Sequence, residues 1–448
     1  MVNGQVRLAE IIGALSYALD LTEGQPPGHC QRCCWIGFHI GKALGLGDTE
    51  LWELYYTVLL KDAGCSSNAE RLCELYSNDD LHTKRDFTAV DTDSVKQLAR
   101  FVFTHAAPGT GLNSRLSHML NLMRHGERLA NELVQTRCER GAQVAIQLGF
   151  SATVAAGIHN LDEHWNGRGR PQRQGGESIP LGSRIALLSQ VADVFYQVGG
   201  ASAARDEVRR RSGTWFDPRV VAAFDRVTED PEFWTVFAAD DFEDQVWALE
   251  PGKQSIEITE ERLDAIALAF AQIVDAKSHF TYGHSERVGH YAEALARLMG
   301  FSTERTAWVR RGALLHDLGK LGVSNAILDK PGRLNADEWV QVKRHPALTE
   351  EILARIDPFQ ELAQVAGAHH ERLDGYGYPR GLKATDIRIE TRMITTADIF
   401  DALTAVRPYR DALPVDTALS IMEEERGTAL DPDCLDALIA AIPQFELN

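Results

Sequence analysis

The sequence has no run of about 18 uncharged apolar residues, so no membrane-spanning helix is expected. Its opening, MVNGQVRLAEIIGALSYALD, lacks a basic segment followed by an apolar one. It does not read as a signal peptide, and a cytoplasmic protein is the expectation. Low-complexity tracts are absent, and the period-two alternation of half-buried strands is scarce. Cysteine is sparse: seven in 448 residues, an odd number that suits reduced thiols better than a disulfide framework. Cys30, Cys33 and Cys34 form "CQRCC", but no second Cys or His pair stands at zinc-finger spacing. They read as buried thiols on a helix. Lys and Arg number 46 against 64 Asp and Glu, a formal charge of −18. That excess argues against nucleic-acid or anionic-membrane partners. A small anionic substrate remains compatible, because a site can be locally positive or hold metal ions.

What is present is a repeat. "GHSERVGHYAEALARLMGFS", from Gly283, resembles "GHCQRCCWIGFHIGKALGLG", from Gly28, at an offset of 255. "LLHDLG" and "LLKDAG" keep that offset. "ERLDGYGYPRG", from Glu371, matches "EHWNGRGRPQR", from Glu163, at an offset of 208, so the first copy carries extra residues between these blocks. "TADIFDAL" parallels "QVADVFYQ", and "RGTALDPDCLDALIAA" parallels "RSGTWFDPRVVAAF". Ordered recurrence of this kind reads as tandem duplication. The acidic stretch around Pro251 and Gly252 reads as a linker at 241–255, between domains at 1–240 and 256–448.

Both halves look helical, and the expected class is all-α with two tandem helical bundles. Leu263, Ile266, Ala267, Phe270, Ile273 and Val274 recur at the spacing of a buried helix face. Tyr291, Leu295 and Leu298 form another, stopped by Gly300. Asn335 followed by Glu338 predicts a capping box. "DKPGRLN" and "DGYGYPRGL" read as turns.

The second copy concentrates ligand-type residues: His284, His316, Asp317, His345, His369, His370 and Asp398. Imidazole and carboxylate suit iron, manganese, zinc or nickel. A His-Asp doublet lets one segment serve two ions. Adjacent His369 and His370 would diverge by about 100° on a regular helix, so both reach one centre only near a helix end. His279 and His290 read as surface or satisfied core residues. No Ser-His-Asp or Cys-His arrangement competes, and no receiver, PAS-like or DNA-binding segment is evident.

"HDLGK", "HHERLDGYGYP", "TTADIFDALTAVRPYR" and "GTALDP" resemble the HD-GYP family, a branch of the HD metal-dependent phosphohydrolases. The resemblance spans roughly residues 256–443. It implies HD-type helical bundles and a bimetal centre, with iron or manganese the expected ions. It also implies hydrolysis of a cyclic dinucleotide, with cyclic di-GMP the leading substrate. Under it, His284, His316, Asp317 and Asp398 hold one ion. Asp317 bridges to a second, held also by His345, His369 and His370. Asp317 and Lys320 are the catalytic pair. Lys320, Tyr378, Arg407 and Arg410 face the substrate, while Glu371, Asp374 and Asp401 orient ligands or form turns. Some members add a Glu four residues before the first His ligand and hold a third ion. Phe280 stands there, so two ions are expected, with linear pGpG the main product and onward cutting to GMP left open. Three other readings stay open: 3′3′-cyclic GMP-AMP as substrate, a noncatalytic sensor or scaffold, and a nucleotidase-type hydrolase.

In the first copy, His29, Asp62 and Asp193 stand at ligand positions. Lys61 replaces His316, Arg137 replaces His345, and Leu161 and Asp162 replace His369 and His370. Cys65 stands for Lys320 and Arg170 for Tyr378. A protonated Lys or Arg offers a metal no lone pair. Lys61 is therefore expected to pair with Asp62 or Asp193. Apolar segments such as "LWELYYTVLL" are intact, which suits a domain kept for packing, for a homodimer or regulatory partner, or for ligand sensing. The basic stretch His164 to Gly176 is a solvated loop or an anion contact.

Overall fold

The computed structural model describes residues 7–76, 78–106, 112–251, 259–407 and 410–445, with backbone only for 112–125. Two compact units result, divided between Ile258 and Thr259. The described residues are all-α, with isolated bridges and no strand. No helix among them is long and apolar enough to cross a membrane.

In the second unit the face beginning at Leu263 lies on a helix, Glu260–Asp275, that Thr259 caps through its side chain. The helix His284–Leu298 packs on Thr303–Leu315 and on Ile389–Thr404. Val288, Tyr291, Leu295, Val309, Met393 and Phe400 belong to one buried cluster. Each such side chain contributes about 1.5–3 kcal/mol. Leu298 departs from the expected face: it is half-exposed where the helix ends, two residues before Gly300 (φ 79°). The capping box forms as read, with Asn335 and Glu338 opening Ala336–Val342.

The first unit repeats this plan in Leu8–Thr22, His29–Ala43, Asp48–Leu59, Ala152–His159 and the pair of helices within Leu181–Arg210, which non-helical Gly199 and Gly200 (φ 71°) break apart. Between them it carries Ala69–Tyr76, Asp80–Thr88, Val95–His105 and the 36-residue Leu112–Gln147, whose last part, with Arg137, answers to His345–Leu353 of the second unit. Asp62 and Glu163 are 101 positions apart, their counterparts Asp317 and Glu371 only 54, so the insertion amounts to 47 residues. The expected linker needs correcting. Phe242–Ala248 is a helix with Phe242 and Val246 buried, packed against Leu8–Thr22 and His29–Ala43 of the first unit. Its charges occupy the outer face of an amphipathic helix, which composition alone does not separate from a linker. Residues 252–255 lie outside the described ones.

Candidate metal centre

Four imidazoles of the second unit are oriented the same way. Nδ1 of His316, His345 and His369 lies 2.6, 2.7 and 2.7 Å from the carbonyl three residues earlier, those of Ala313, Val342 and Ala366. A carbonyl only accepts, so Nδ1 carries the hydrogen and Nε2 presents its lone pair inward. His284 reaches the same state through Asp401, whose Oδ2 lies 2.7 Å from its Nδ1. Arg287 holds Asp401 with two further hydrogen bonds, 2.6 and 3.0 Å.

The inward atoms converge on Asp317. Its Oδ2 lies 3.4 Å from Nε2 of both His284 and His316. Its Oδ1 lies 3.3 Å from Nε2 of His345 and 3.7 Å from that of His369. Asp398 Oδ1 closes the first cluster, 3.3 Å from His284 and 3.8 Å from His316. His345, His369 and His370 form the second, their donor atoms within 4.8 Å of one another. Ligands at 2.0–2.2 Å around one ion stand about 3 Å apart, close to these separations. Nε2 of His284 and His316 and Oδ1 of Asp317 are buried without a hydrogen-bond partner among the described residues. Buried polar atoms are rarely left so, and a cation satisfies all three. The donor set therefore fits two divalent ions sharing Asp317.

Local geometry explains the placement. Asp398 and Asp401 are three apart on Ile389–Thr404, so one turns to the centre and the other to the back of His284. His369 and His370 follow the end of Gln360–Ala366, where the 100° divergence no longer applies. Gly319 of "HDLGK" allows the close approach: a Cβ there would stand 2.0 Å from the His345 carbonyl oxygen. Gly377 of "GYGYP" does the same against Arg372 N, at 2.4 Å. With no ion in the centre, burial opposes charge on His316, yet Asp317 and Asp398 push it up to about 9, so binding an ion there displaces the Nε2 proton and frees the lone pair. Burial, then His345, holds His370 down near 3. Burial would raise Asp317, but His316 and Lys320 keep it well below the carboxylate range.

The other named residues surround this centre. Lys320 Nζ lies 2.5 Å from Asp317 Oδ2. The Tyr378 ring lies tilted by 36° against His370 with centroids 4.8 Å apart, and burial pushes its phenol up. Glu371 accepts from the backbone N–H groups of Arg380 and Leu382, and Asp374 from Tyr376, so both shape the turn. Arg407 exchanges backbone hydrogen bonds with Arg410. The Arg410 guanidinium donates to the carbonyls of Ala402 and Leu403, which close the helix Ile389–Thr404. Those terminal carbonyls have no intrahelical partner, and the Arg410 guanidinium satisfies them. Sequence reasoning missed Arg287, and also Thr349 and Thr395, which donate to the His316 and His369 carbonyls at 2.9 and 2.7 Å. Lys343, 5.5 Å from the Tyr378 ring centre, was missed too.

The first unit answers the same positions with cations. Lys61 Nζ pairs with Asp62 and lies 3.1 Å from His29 Nε2. Arg137 pairs with Asp162. Asp193 needs reassigning. It holds His29 Nδ1 at 2.6 Å and Arg32 at 2.6 and 3.1 Å, as Asp401 holds His284 and Arg287. Ser183 likewise donates to Gly157 O as Thr391 does to Val365 O, at the same offset of 208. Asp193 is thus the counterpart of Asp401, and Gln190 that of Asp398. The misreading is a shift of three residues, nearly one helical turn, which leaves the apolar pattern matched. Cys30, Cys33 and Cys34 are buried free thiols, as read.

The family described as HD domain matches residues 68–220 and 269–434. The chain is 52% identical over 435 residues to 3′3′-cGAMP-specific phosphodiesterase 3 of Vibrio cholerae, covering 97% of this chain and 94% of that one. A crystal structure of a cyclic GMP-AMP-specific phosphodiesterase from V. cholerae superposes with a TM-score of 0.68 at 48% identity, covering 98% of both chains. The cyclic di-GMP phosphodiesterase response regulator RpfG of Xanthomonas campestris is 38% identical over 194 residues, 43% of this chain and 51% of that one.

Proposed function

The chain belongs to the HD domain family, in its HD-GYP branch, and is a metal-dependent cyclic-dinucleotide phosphodiesterase; from that premise we propose that its substrate is 3′3′-cyclic GMP-AMP. The supporting observation is coverage. Of the relatives compared, one named 3′3′-cGAMP-specific matches 97% of the chain at 52% identity, while relatives named for cyclic di-GMP match 43% and 36% at 38% identity; two further 3′3′-cGAMP-specific relatives match 41% and 39%, so the weight lies on the full-length match. This displaces the leading sequence expectation, cyclic di-GMP, in favour of its stated alternative.

We assign two ions, iron or manganese, to the second unit. His284, His316, Asp317 and Asp398 hold the first; Asp317, His345, His369 and His370 hold the second. Bound there, such ions supply hydroxide at neutral pH by lowering the pKa of water. The chain's own residues do the rest. Lys320 stands beside Asp317, where a phosphate oxygen gains a cation as charge develops. Arg407 provides the second phosphate contact, and Arg410 braces the turn that carries it. Tyr378 borders the His370 side of the pocket. With Phe280 at the position of a third-ion ligand, one phosphodiester bond is cut and the linear dinucleotide is released. The protein acts in the cytoplasm.

A substrate panel tests this. Purified protein with iron or manganese should linearise 3′3′-cyclic GMP-AMP at least tenfold faster than cyclic di-GMP, by kcat/KM. Equal rates, or faster cyclic di-GMP turnover, overturn the assignment.

A further inference from the structure

The first unit contains a cavity of about 670 Å³. That lies within the range of small-molecule sites. Its floor is made by the counterparts of catalytic positions: Arg137, Asp162, Arg170 and Gln190, which stand for His345, His370, Tyr378 and Asp398. Most of its roof lies in the stretch that holds the insertion. Leu72, Tyr76, Phe87, Phe101, Leu133 and Val134 line it and make it mainly apolar. The copy that lost its ligands therefore gained an apolar cover over the former pocket floor.

Polar atoms of this lining lack partners. Asn68 Oδ1, His164 Nδ1 and Gln190 Oε1 are buried without a hydrogen bond among the described residues, on side chains 7%, 6% and 8% exposed. An unmet buried acceptor costs about 1–3 kcal/mol, and a ligand donor removes that cost. The charges narrow the ligand further. Lys84 donates to the carbonyls of Thr22 and Cys65 and lies 3.6 Å from Glu23. Arg137 is held by Asp162. Arg170 is different: no side-chain hydrogen bond or ion pair engages its guanidinium among the described residues. Burial pushes its pKa down, with Glu127 opposing. Among the described residues of the lining, Arg170 is the cation that no carboxylate pairs with; Arg137 Nη2 also lacks a hydrogen bond but lies against Asp162, and Glu23, Glu127 and Asp162 face the cavity too. A dianion such as a cyclic dinucleotide meets too little positive charge there.

We propose that this cavity binds an amphipathic monocarboxylate bearing a hydrogen-bond donor, its carboxylate at Arg170 and its apolar body among the inserted helices. The donor meets Asn68 or Gln190, and His164 lies beside the carboxylate. The first unit is then a small-molecule receptor built on a former catalytic pocket, whatever the second unit hydrolyses.

The test uses the full metal-loaded chain and displacement of 1-anilinonaphthalene-8-sulfonate fluorescence. 3-Hydroxydecanoate should displace the dye, and its methyl ester should do so at least tenfold more weakly. Arg170→Gln should abolish the difference between acid and ester. Ala130→Trp, which fills the cavity, should abolish displacement by both. If Ala130→Trp fails to fold, judged by thermal melting, Arg170→Gln decides, because it leaves the apolar walls intact. The proposal is overturned if the acid does not bind, if acid and ester bind alike in the unmodified chain, or if Arg170→Gln leaves their difference unchanged. Displacement by 3′3′-cyclic GMP-AMP that Ala130→Trp removes also overturns it, and makes the cavity a dinucleotide sensor.

Discussion

The two centres of this chain solve one electrostatic problem in two ways. Each buries aspartates at a convergence of helices, and a buried carboxylate needs a cation. In the second unit the donors around Asp317 are imidazoles with lone pairs turned inward, so the cation comes from solution. In the first, Lys61 and Arg137 occupy the places of His316 and His345 and supply it from the chain. The supporting set survives in both: Asp401 with His284 and Arg287, Asp193 with His29 and Arg32. Catalytic potential thus rests on who provides the positive charge, while the scaffold that aims the first histidine is common to both.

That contrast can be broken in four places. The largest effect is expected at the shared ligand. Asp317→Ala should lower turnover on the order of a thousandfold, because losing the ions forfeits several kcal/mol of barrier lowering. Asp62→Ala should leave turnover within about twofold. Loss of activity in both variants would end the division of labour. Next comes stability. Asp62→Ala strands the buried Lys61 and should cost the first unit about 3–5 kcal/mol, whereas Lys61→Met with Asp62→Leu should be nearly neutral. Urea unfolding followed by tryptophan fluorescence reads both; equal losses would mean the pair is not the substitute for metal.

Smaller effects sharpen the comparison. Asp401→Asn should lower metal affinity or activity about 10–100-fold by loosening His284. Asp193→Asn should change neither, as measured by metal analysis and initial rates. At the rim, Arg407→Met should raise KM about tenfold, the worth of one charge-assisted hydrogen bond. Arg410→Met should move KM by less than about twofold and lower stability by about 0.3–1 kcal/mol, since its guanidinium caps a helix. A KM effect of Arg410 equal to that of Arg407 would restore it as a substrate contact.

Much of this was legible in the sequence, because ligand chemistry is local. The histidines and aspartates come in short segments, and His369-His370 even announced the helix end they need. The all-α class followed from periodicity, and the Lys61–Asp62 pair from charge alone. What stayed hidden depends on the third dimension. Arg287 is one turn from His284 and looks like a surface residue until Asp401 is placed behind both. Thr349 and Thr395 act on backbone carbonyls, which carry no sequence signal. Arg410 sits in a motif whose resemblance suggested phosphate, and its bonds to the helix-end carbonyls carry no sequence signal. Asp193 was placed one turn off because both registers keep the same apolar face. The charged helix Phe242–Ala248 looked like a linker because only packing distinguishes the two.

The Lys61–Asp62 pair also constrains history. If the first copy once resembled the second, its aspartates could not outlast the metal unaccompanied, nor could a lysine arrive beside a bound dication. Loss of the ions and gain of Lys61 had to be nearly coincident, or pass through a protonated Asp62. Decay of a buried metal site is therefore an ordered path with few permitted first steps. Among descendants of such duplications, a lysine beside the surviving aspartate should recur more often than any neutral replacement.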